Sequence, residues 1–551
     1  MIFRSPYPEI ALPPTPLTPF VLARARERGD KPALIDATSG RTITYRQLDE
    51  SVRRVAAGLT ARGFRKGDVF AIYSPNLPEY AVAFHAVSLI GGTLTTLNPV
   101  YTVDEAAHQL KDARARYLLT VPALLDKARA AAAHAGVEEV FVFGECDGAT
   151  PFAALYAVEG ADEGADERTD DGASEGAGDG ASDVAGDSLK MPQVEIDPAQ
   201  DVVVLPYSSG TTGLPKGVML THHNLIANTL QVQACELISE SDTLVCVLPL
   251  FHIYGMVVIM NVGLYEGATI VVMPRFDLET FLKILQDYGV TLAHVVPPIM
   301  LALAQHPSVD NYDLSKLKTL FSGAAPLSEE LARACSERLG CDIRQGYGMT
   351  ETSPAIHLTP LRFDWSKYGS IGQCVPSTEC KIVDVETNES VGCGQEGEIC
   401  MRGPQMMKGY LNRPEATAAT IDADGWLHTG DIGYCDDEGH FFIVDRLKEL
   451  IKYKGMQVAP AELEALLLTH PSVADAAVVP VADAEAGELP KAFVVLKAGA
   501  ETAAAEELMA YVAGRVAPYK KIRRLEFIEQ IPKSASGKIL RRLLVERERA
   551  K

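Results

Sequence analysis

The sequence predicts an α/β protein with two domains, and three observations support this. The chain has 551 residues, of which 47% are hydrophobic, and this is ample for more than one buried core. Short apolar runs of strand length alternate with segments of helical period. A unit of about a hundred residues, a usual domain size, follows Asp445. We therefore expect a large domain of layered α/β subdomains over residues 1–444 and a small α+β domain over residues 445–551.

The elements of the large domain follow from apolar runs that bracket helical stretches. The strands expected in it are Val69–Tyr73, Leu94–Leu97, Tyr117–Val121, Val202–Pro206, Thr243–Leu248, Ala268–Met273, Val290–Val296 and Leu317–Ser322. The helices expected in it are Tyr80–Leu89, Leu278–Tyr288 and Ser328–Leu339. In the small domain we expect helix Ala461–His470, strands Ala476–Val481 and Ala492–Leu496, and helix Ala503–Val516.

Charge is concentrated in one segment of the chain. The formal net charge is −22, and the segment from Glu159 to Asp187 holds eleven acids against Arg168 alone, among Gly, Ala and Ser. Such a segment is too polar to bury, so we expect a disordered insertion over 159–187. The acidity of the remainder argues against a nucleic-acid partner, which would need a concentrated basic face. We interpret the basic run Lys520–Arg524 as a solvated face.

The N-terminus and the cysteines bear on the cellular setting. Met1–Pro16 has no basic stretch leading into an apolar core, so we expect no signal peptide, no transmembrane segment and a cytoplasmic protein. The ten cysteines include no Cys-x-x-Cys pair, and the group Cys374, Cys380 and Cys393 has no histidine at ligand spacing. Reduced, buried thiols are therefore favoured over disulfides or zinc. The sequence leaves both a monomer and a homodimer open.

The run from Ser208 to Gly217 combines hydroxyls, three glycines and Lys216 directly after an apolar strand. Glycines let backbone N–H groups approach an anion, and the hydroxyls and the ammonium add donors and charge. The run is not a Walker loop, because Pro215 precedes the lysine and Gly217 follows it. It predicts a phosphate-binding loop.

Five further segments carry dense polar residues at predicted turns. They are Phe251–Gly255, Gln345–Glu351, His428–Asp431, Asp445–Arg446 running on to Gly455, and Pro532–Lys538. In order and wording, the six motifs together resemble the adenylate-forming superfamily of acyl-CoA synthetases, luciferases and peptide-synthetase adenylation domains, over nearly the whole chain. Gly397–Gly403 and Asp445–Glu464 are most similar to the 4-coumarate or cinnamate CoA ligases and their bacterial relatives.

The resemblance implies a two-step ligase that uses Mg²⁺, with ATP and coenzyme A as co-substrates. A carboxylate and ATP give an acyl-adenylate and pyrophosphate, and the acyl group then passes to the thiol of coenzyme A. Glu351 is implied as the magnesium ligand, which suits a hard cation. The residues implied for ATP and AMP are Ser208, Ser209, Gly210, Thr211, Thr212, Gly213, Lys216, Ala324, Gln345, Gly346, Tyr347, Thr350, Asp431, Arg446 and Lys538.

The resemblance also implies a catalytic lysine and a hinge. Lys538 stands in the Ser-Gly-Lys pattern and is favoured over its neighbour Lys533 for adenylation, where a flexible ammonium can serve both the carboxylate and the α-phosphate. Rotation of the small domain about Asp445 would then present a second face for thioester formation. That face is implied to carry Lys452 and Gln457 as catalytic residues. The residues implied for coenzyme A are Arg275, Lys448, Lys454 and Gly455.

The acyl pocket is the third site that the resemblance implies, with His252 as a gating residue near the carboxylate. Its lining residues are implied to be His252, Tyr254, Val258, Phe321, Gly346, Pro354 and Ala355. Two positions depart from the plant pattern, because Phe321 replaces a lysine and Val258 replaces a small hydroxyl residue. Loss of polar groups weakens selection for a phenol. Cinnamate, another aryl acid or a medium-chain fatty acid is thus as credible as coumarate.

Three other readings remain open. A fatty-acyl-AMP ligase would load a carrier protein in place of coenzyme A, although Lys452, Lys454 and Gln457 favour coenzyme A. A luciferase-like oxygenase would act on its own adenylate, although the chain lacks the Ser-Lys-Leu ending of such proteins. A regulator without catalysis is disfavoured, because every expected catalytic position is present.

Overall fold

The computed structural model describes residues 1–156, 194–208, 215–325, 327–360, 367, 369–447, 449–454, 456–483, 486–499, 504–534 and 537–549. The predicted insertion 159–187 lies outside these ranges, as do residues 209–214 of the phosphate-binding loop. Within these ranges, no helix has the length and apolar character needed to cross a membrane.

The described helices and strands are as follows. The helices are α1 (Leu17–Val21), α2 (Ala25–Arg28), α3 (Tyr45–Ala61), α4 (Glu79–Leu89), α5 (Val103–Asp112), α6 (Leu125–Ala135), α7 (His222–Ala234), α8 (Gly263–Glu266), α9 (Leu278–Asp287), α10 (Pro297–Gln305), α11 (Glu329–Leu339), α12 (Pro414–Ala418), α13 (Pro460–Leu468), α14 (Ala505–Ala513) and α15 (Arg541–Arg549). The strands are β1 (Phe3–Arg4), β2 (Pro32–Asp36), β3 (Thr42–Thr44), β4 (Val69–Tyr73), β5 (Thr93–Leu97), β6 (Ala115–Thr120), β7 (Glu139–Val142), β8 (Thr150–Pro151), β9 (Val202–Ser208), β10 (Lys216–Thr221), β11 (Thr243–Cys246), β12 (Thr269–Val272), β13 (Leu292–Val295), β14 (Thr319–Ser322), β15 (Asp342–Gly348), β16 (Ala355–Leu358), β17 (Ser370–Cys374), β18 (Glu379–Val383), β19 (Gly397–Arg402), β20 (Gly409–Tyr410), β21 (Leu427–Cys435), β22 (Phe441–Arg446), β23 (Ile451–Tyr453), β24 (Met456–Val458), β25 (Val473–Asp483), β26 (Gly487–Leu496) and β27 (Arg524–Phe527).

Three sheets organise these elements, and the α/β prediction is confirmed. One sheet has the order β20-β10-β9-β5-β4-β6-β7-β8, and a second runs β1-β18-β19-β21-β22-β17-β16-β15-β14-β13-β11-β12-β2-β3. The third belongs to the C-terminal part, with β24-β23-β26-β25 in order and β27 paired with β26. Helices such as α4, buried on all faces, lie in the large apolar core of the first two sheets.

The second sheet changes character at β15. Its strand β14 pairs with β15 in parallel up to Ser322 and Gln345, and β16 then pairs with β15 antiparallel from Gly346 onward. The remaining strands from β16 to β18 are antiparallel and enclose a separate apolar core that includes Ile356 and Phe441. We call this half of the sheet, with its core, the antiparallel half. Ligands favour the carboxyl ends of parallel strands where a sheet changes direction, so this junction is the natural place for a site.

Three motifs that were expected at turns lie on strands instead. Gln345–Gly348 ends β15, His428–Asp431 lies within β21, and Asp445–Arg446 ends β22. These strands border the site and carry half-buried polar residues beside buried ones, whereas a strand covered on both faces would be uniformly apolar. Since β22 extends to Arg446, the chain leaves the large sheet just after the expected boundary at 444/445. That boundary stays a prediction.

Candidate active site

Glu351 lies where the first two sheets meet, and hydrogen bonds hold its carboxylate in place. The residue is buried in a short 3₁₀ turn after β15. Its Oε1 accepts hydrogen bonds from the hydroxyls of Ser208 at 3.0 Å and Tyr410 at 2.8 Å. The Nζ of Lys216 lies 4.0 Å from the centroid of the Tyr410 ring. One carboxylate, two hydroxyls and one ammonium therefore lie together at the end of the predicted phosphate loop.

Asp431 is held by groups from three strands. Its Oδ2 accepts a hydrogen bond from the hydroxyl of Tyr347, and its Oδ1 lies 3.2 Å from Nε of Arg446. Burial and the nearby carboxylate raise the pKa of Tyr347 well above its usual value, so the phenol remains a donor. An acidic side chain with one face fixed in this way can accept hydrogen bonds from ribose hydroxyls.

The loop before Asp431 is supported by a network that sequence reasoning missed. Glu398 accepts the N–H of Gly430 at 2.9 Å and lies 2.8 Å from Nδ1 of His428. Thr429 donates to the carbonyl of Ile399 at 2.7 Å. The signature box Gly397–Gly403 thus holds the strand that carries Asp431 from the next strand of the sheet. The motif Gly397–Gly403 was recognised from its residues, but no feature of the sequence predicts its hydrogen bond to Gly430.

The expected adenine strip occupies the junction of the two halves of the sheet. A Cβ on Gly346 would stand 2.6 Å from the Phe321 ring and 2.8 Å from Leu358, so only glycine fits there. Ala324 has a positive φ of 70°, a conformation that costs free energy in a residue other than glycine and is common at ligand sites. The buried amide Nε2 of Gln345 has no partner among the described residues.

Lys538 enters this site from the C-terminal domain. The pKa of Lys538 is lowered, and the largest cause is burial, followed by the charge of Arg446. The carboxylates of Asp431 and Glu351 act in the opposite direction and raise it. Its backbone N–H donates to Oγ of Ser534 at 3.1 Å. The lysine is therefore among the same charged groups that the motifs define, even though it lies 92 residues beyond Arg446 and 187 beyond Glu351 in the chain.

Two further contacts define the position of the Lys538 loop. A Cβ built on Gly537 would lie 3.4 Å from Cδ of Pro298, so the loop packs against the first turn of α10 in the large domain. Lys533 is directed elsewhere, because its Nζ pairs with Asp475 at 2.7 Å. The geometry therefore separates the two candidate lysines that the sequence left as neighbours.

His252 and Tyr254 begin a buried wall of the expected acyl pocket. The predicted turn at Phe251–Gly255 leads directly into a π-helix, Tyr254–Val262, whose residues are all buried. Wide π turns are frequent at functional sites, since they realign side chains. Burial, followed by the charge of Lys538, lowers the pKa of His252 to about 4, so the imidazole is neutral at neutral pH. Val258 lies on this π-helix.

His294 is a polar residue of this region that the sequence analysis did not include. Its Nδ1 lies 3.1 Å from the hydroxyl of Tyr254, and the two rings meet edge to face. The ring centroid of Phe321 lies 5.4 Å from that of His294. Burial lowers the pKa of His294 to about 3, so it too is neutral. It could not be found from sequence because it lies mid-strand in the apolar run of β13.

Pro354 and Ala355 are placed by backbone contacts. The carbonyl of Pro354 accepts the N–H of Met349 at 3.1 Å, and the N–H of Ala355 donates to Asn228 at 3.0 Å. Thr350 opens the 3₁₀ turn between them and the adenine strip. These contacts fix the segment that follows Glu351 against helix α7.

Several residues expected for the thioester step and for coenzyme A are exposed. Lys452 and Lys454 are exposed, and Lys452 is the cross-strand partner of Gln457 in the hairpin of β23 and β24. Arg275 is exposed between β12 and α9. Lys448, Gly455 and the side chain of Gln457 lie outside the described residues.

Comparison with known proteins identifies the class. Residues 21–411 match the AMP-binding enzyme family and residues 462–538 match the AMP-binding enzyme C-terminal domain. The chain belongs to the AMP-binding enzyme family. It is 45% identical to 4-coumarate–CoA ligase 2 of Petroselinum crispum, over 98% of this chain and 96% of that protein.

Solved structures agree with this assignment. ATP-bound MatB from Rhodopseudomonas palustris is 28% identical with a TM-score of 0.83, covering 97% of this chain and 99% of that one. MenE from Bacillus subtilis, in complex with the acyl-adenylate intermediate OSB-AMP, is 30% identical with a TM-score of 0.79, covering 96% and 98%. The protein is an ATP-dependent, AMP-forming acid–CoA ligase, and its large N-terminal and small C-terminal domains follow the architecture of these relatives.

Proposed function

We propose that the acid is an aryl acid of the 4-coumarate or cinnamate type. The observation that carries this proposal is the buried aromatic cluster of Tyr254, His294 and Phe321, beside the two glycines 323 and 346. Flat rings stack favourably against such a cluster. The two glycines let the rings of Tyr254 and Phe321 pack directly against the backbone. The relative in Petroselinum crispum, which is named 4-coumarate–CoA ligase 2, supports the same substrate class.

His294 changes the expectation that the acyl pocket selects only weakly for a phenolic acid. The replacement of a lysine by Phe321 removes one polar partner, but the neutral imidazole of His294 and the hydroxyl of Tyr254 supply others in the same cluster. A hydroxyl buried without a partner is costly, whereas one that meets a ring nitrogen is not. On this basis 4-coumarate is preferred to a medium-chain fatty acid.

In the first step the acid attacks the α-phosphate of ATP. Lys538 lies between the carboxylate and the phosphate and offsets the repulsion of two anions, while Thr350 donates to the α-phosphate. Asp431 accepts the ribose hydroxyls, and Gln345, Gly346, Tyr347 and Ala324 hold adenine. Lys216, Ser208 and the loop of 209–213 hold the leaving pyrophosphate. The neutral imidazole of His252 orients the acid.

Glu351 is the residue that would hold Mg²⁺. Its buried carboxylate fits a hard cation, since the surrounding donors are oxygens from Ser208 and Tyr410. When bound, the ion supplies positive charge against the phosphates.

In the second step the C-terminal domain turns about Asp445 and presents the hairpin of β23 and β24. Lys452 and Gln457, cross-strand partners in that hairpin, then serve the thioester step. Arg275, Lys448, Lys454 and Gly455 hold coenzyme A. The setting we propose is the cytoplasm, which agrees with ten cysteines that are all free thiols.

A screen of pyrophosphate release tests the substrate. 4-Coumarate, cinnamate, benzoate and octanoate are compared by kcat/KM with saturating ATP and coenzyme A, in the wild type and in H294F. We expect 4-coumarate to exceed octanoate by at least about 10-fold, and H294F to lower the ratio of coumarate to cinnamate by about 5- to 10-fold, the effect of one lost hydrogen bond. Preference for octanoate, or an unchanged ratio in H294F, would contradict the proposal.

A further inference from the structure

The core of the antiparallel half contains a histidine and two cysteines that the reaction does not use. His357, Cys374 and Cys380 are all buried, with 2% exposure or less, and lie on β16, β17 and β18. Their three potential ligand atoms lie within 4.8 Å of one another. In the chain no histidine stands at ligand spacing from these cysteines, which was the reason for expecting no zinc. The fold removes that reason by bringing His357 to both.

We propose that His357, Cys374 and Cys380 form a binding site for one thiophilic divalent cation, and that Zn²⁺ is the ion it takes. The donor set is one imidazole and two thiols, a three-ligand set that suits Zn²⁺ with a water molecule in the fourth position and is unsuited to Mg²⁺. The site is separate from Glu351 and from the nucleotide groups.

The distances agree with tetrahedral coordination. Nε2 of His357 lies 3.5 Å from Sγ of Cys374 and 3.6 Å from Sγ of Cys380. With Zn–S near 2.3 Å and Zn–N near 2.0–2.1 Å, the N···S edge of a tetrahedral site is about 3.5 Å. Both N···S distances are therefore already those that a bound ion requires, and the two sulfurs lie within 4.8 Å of one another.

The surroundings give His357 no other polar contact. Its Nδ1 is buried without a partner among the described residues, and its ring lies 4.3 Å from that of Phe441 and 5.9 Å from that of Tyr347. On binding, Zn²⁺ forms bonds to Nε2 and to both sulfurs, and the two thiol protons pass to solvent. One divalent ion, two thiolates and a neutral imidazole then carry no net charge, so burial is tolerated.

The ion would join parts of the sheet that do not pair with one another. In the sheet order, β18 is separated from β17 by β19, β21 and β22, and the side chains meet only because this half curls. His357 is also the cross-strand partner of both Tyr347 and Cys374. A bound ion would therefore stabilise the strands directly behind the adenine strip.

A second cluster in the same half, Glu398, Cys400 and His428, makes a matched comparison. Here Nδ1 of His428 lies 2.8 Å from a Glu398 oxygen, which is a hydrogen-bond distance, while the N···O edge of a zinc site is about 3.3 Å. The other oxygen of Glu398 already accepts the N–H of Gly430. This cluster is a hydrogen-bonded support, and C400S serves as a control.

The test measures metal in the full chain. Wild type, C374S, C380S, C400S and C335S are equilibrated with Zn²⁺, passed through gel filtration and analysed by mass spectrometry for metal; Cys335 is a buried thiol elsewhere. We expect about one tightly held Zn²⁺ per chain in wild type, C400S and C335S, and at least a 10-fold loss of affinity in C374S and C380S. Equal zinc in all five variants, or none in the wild type, would overturn the proposal.

Three measurements on the wild type guard against misfolded variants. Co²⁺ substitution should give the sulfur-to-metal charge-transfer bands and the intense visible bands of a tetrahedral thiolate site, and Zn²⁺ should protect Cys374 and Cys380 from alkylation as mapped by peptide mass. Zn²⁺ should also raise Tm, since it binds the folded chain. Octahedral Co²⁺ without charge-transfer bands, or a disulfide between the two cysteines in the purified protein, would contradict a zinc site.

Discussion

Two faces of the C-terminal domain differ in what surrounds them. The loop that carries Lys538 packs Gly537 against Pro298 and lies among the charges of the nucleotide site. The hairpin that carries Lys452 has exposed lysines, and its backbone N–H donates to Glu488 of the same domain at 2.8 Å. One face thus lies among the charged groups of the candidate site, and the other has its lysines exposed. We expect each face to serve one half-reaction, so that damage to either can be recognised separately.

The largest effect is expected from K538A. Loss of the ammonium leaves two anions unshielded, so adenylation should fall by about 10³-fold, while thioester formation from supplied acyl-adenylate stays within about 2-fold. Pyrophosphate exchange and thioester assays measure the two steps. K533A is the matched control, because Lys533 pairs with Asp475. Wild-type exchange in K538A would remove this lysine from the first step.

The opposite result is expected from K452A. Thioester formation should fall by about 10- to 100-fold, the effect of one lost charge-assisted hydrogen bond, with adenylation nearly unchanged. K497A, on the same domain, gives the effect of removing a lysine from outside the hairpin. Equal loss of both half-reactions in K452A would show that the two faces are not separate.

An intermediate effect is expected from G537A. Gly537 has a positive φ of 80°, which an alanine adopts only with strain, so the loop should shift from its position against Pro298. We expect adenylation to fall by about 10-fold, from a strain of about 1–2 kcal/mol. Gly499, with φ of 84° and no atom within 4 Å of its Cβ, supplies the control G499A. If G499A slows adenylation as much as G537A, the contact with Pro298 is not responsible.

A smaller effect is expected from Y347F. The ring remains for adenine, but the hydrogen bond to Asp431 is lost, so the KM for ATP should rise by about 3- to 10-fold with little change in the thioester step. Y434F, on the same strand as Asp431, is the comparison, because its ring stacks on Phe442. A larger change in kcat than in KM would mean that Asp431 does more than bind ribose.

The smallest effect concerns pH and stability. The pKa of His252 is lowered to about 4, first by burial and then by Lys538, whereas an unfolded histidine titrates near 6.5. The unfolded chain therefore binds the proton first, and stability present above pH 6.5 is lost as pH falls through 4. Without Lys538 the pKa of His252 should rise, so the Tm of K538A should fall less than that of wild type or K533A between pH 6.5 and 4. Parallel curves of Tm against pH for the three proteins would show that Lys538 does not influence the pKa of His252.

Much of the fold could be read from local pattern. The run Val69–Tyr73 is β4 residue for residue, and Leu278–Tyr288 differs from α9 by one residue, because apolar period reports directly on burial. The polar motifs were harder. Gln345–Gly348 was expected at a turn but ends a strand, since a strand that borders a site carries polar residues for its ligand and loses the apolar signature.

The sequence predicted those residues of the candidate site that lie within recognisable motifs. Glu351, Asp431 and Lys538 were identified by wording, and the structure brings them together. Tyr410 and His294 were missed, because each contributes through a contact with a residue far away in the chain: Tyr410 with Glu351, and His294 with Tyr254. Hydrophobic periodicity and motif spacing do not predict such contacts between residues that are distant in the chain.

By itself the sequence predicted the α/β class, many of the strands and helices and the adenylate-forming chemistry, because these depend on local pattern and on contiguous motifs. Only the tertiary structure decided which lysine of two lies among the charged groups of the candidate site, that His294 stands beside Tyr254, and that His357 stands beside Cys374 and Cys380. These are contacts between strands and domains that are distant in the chain. Their distances depend on how the sheets curl and pack, which no local spacing encodes.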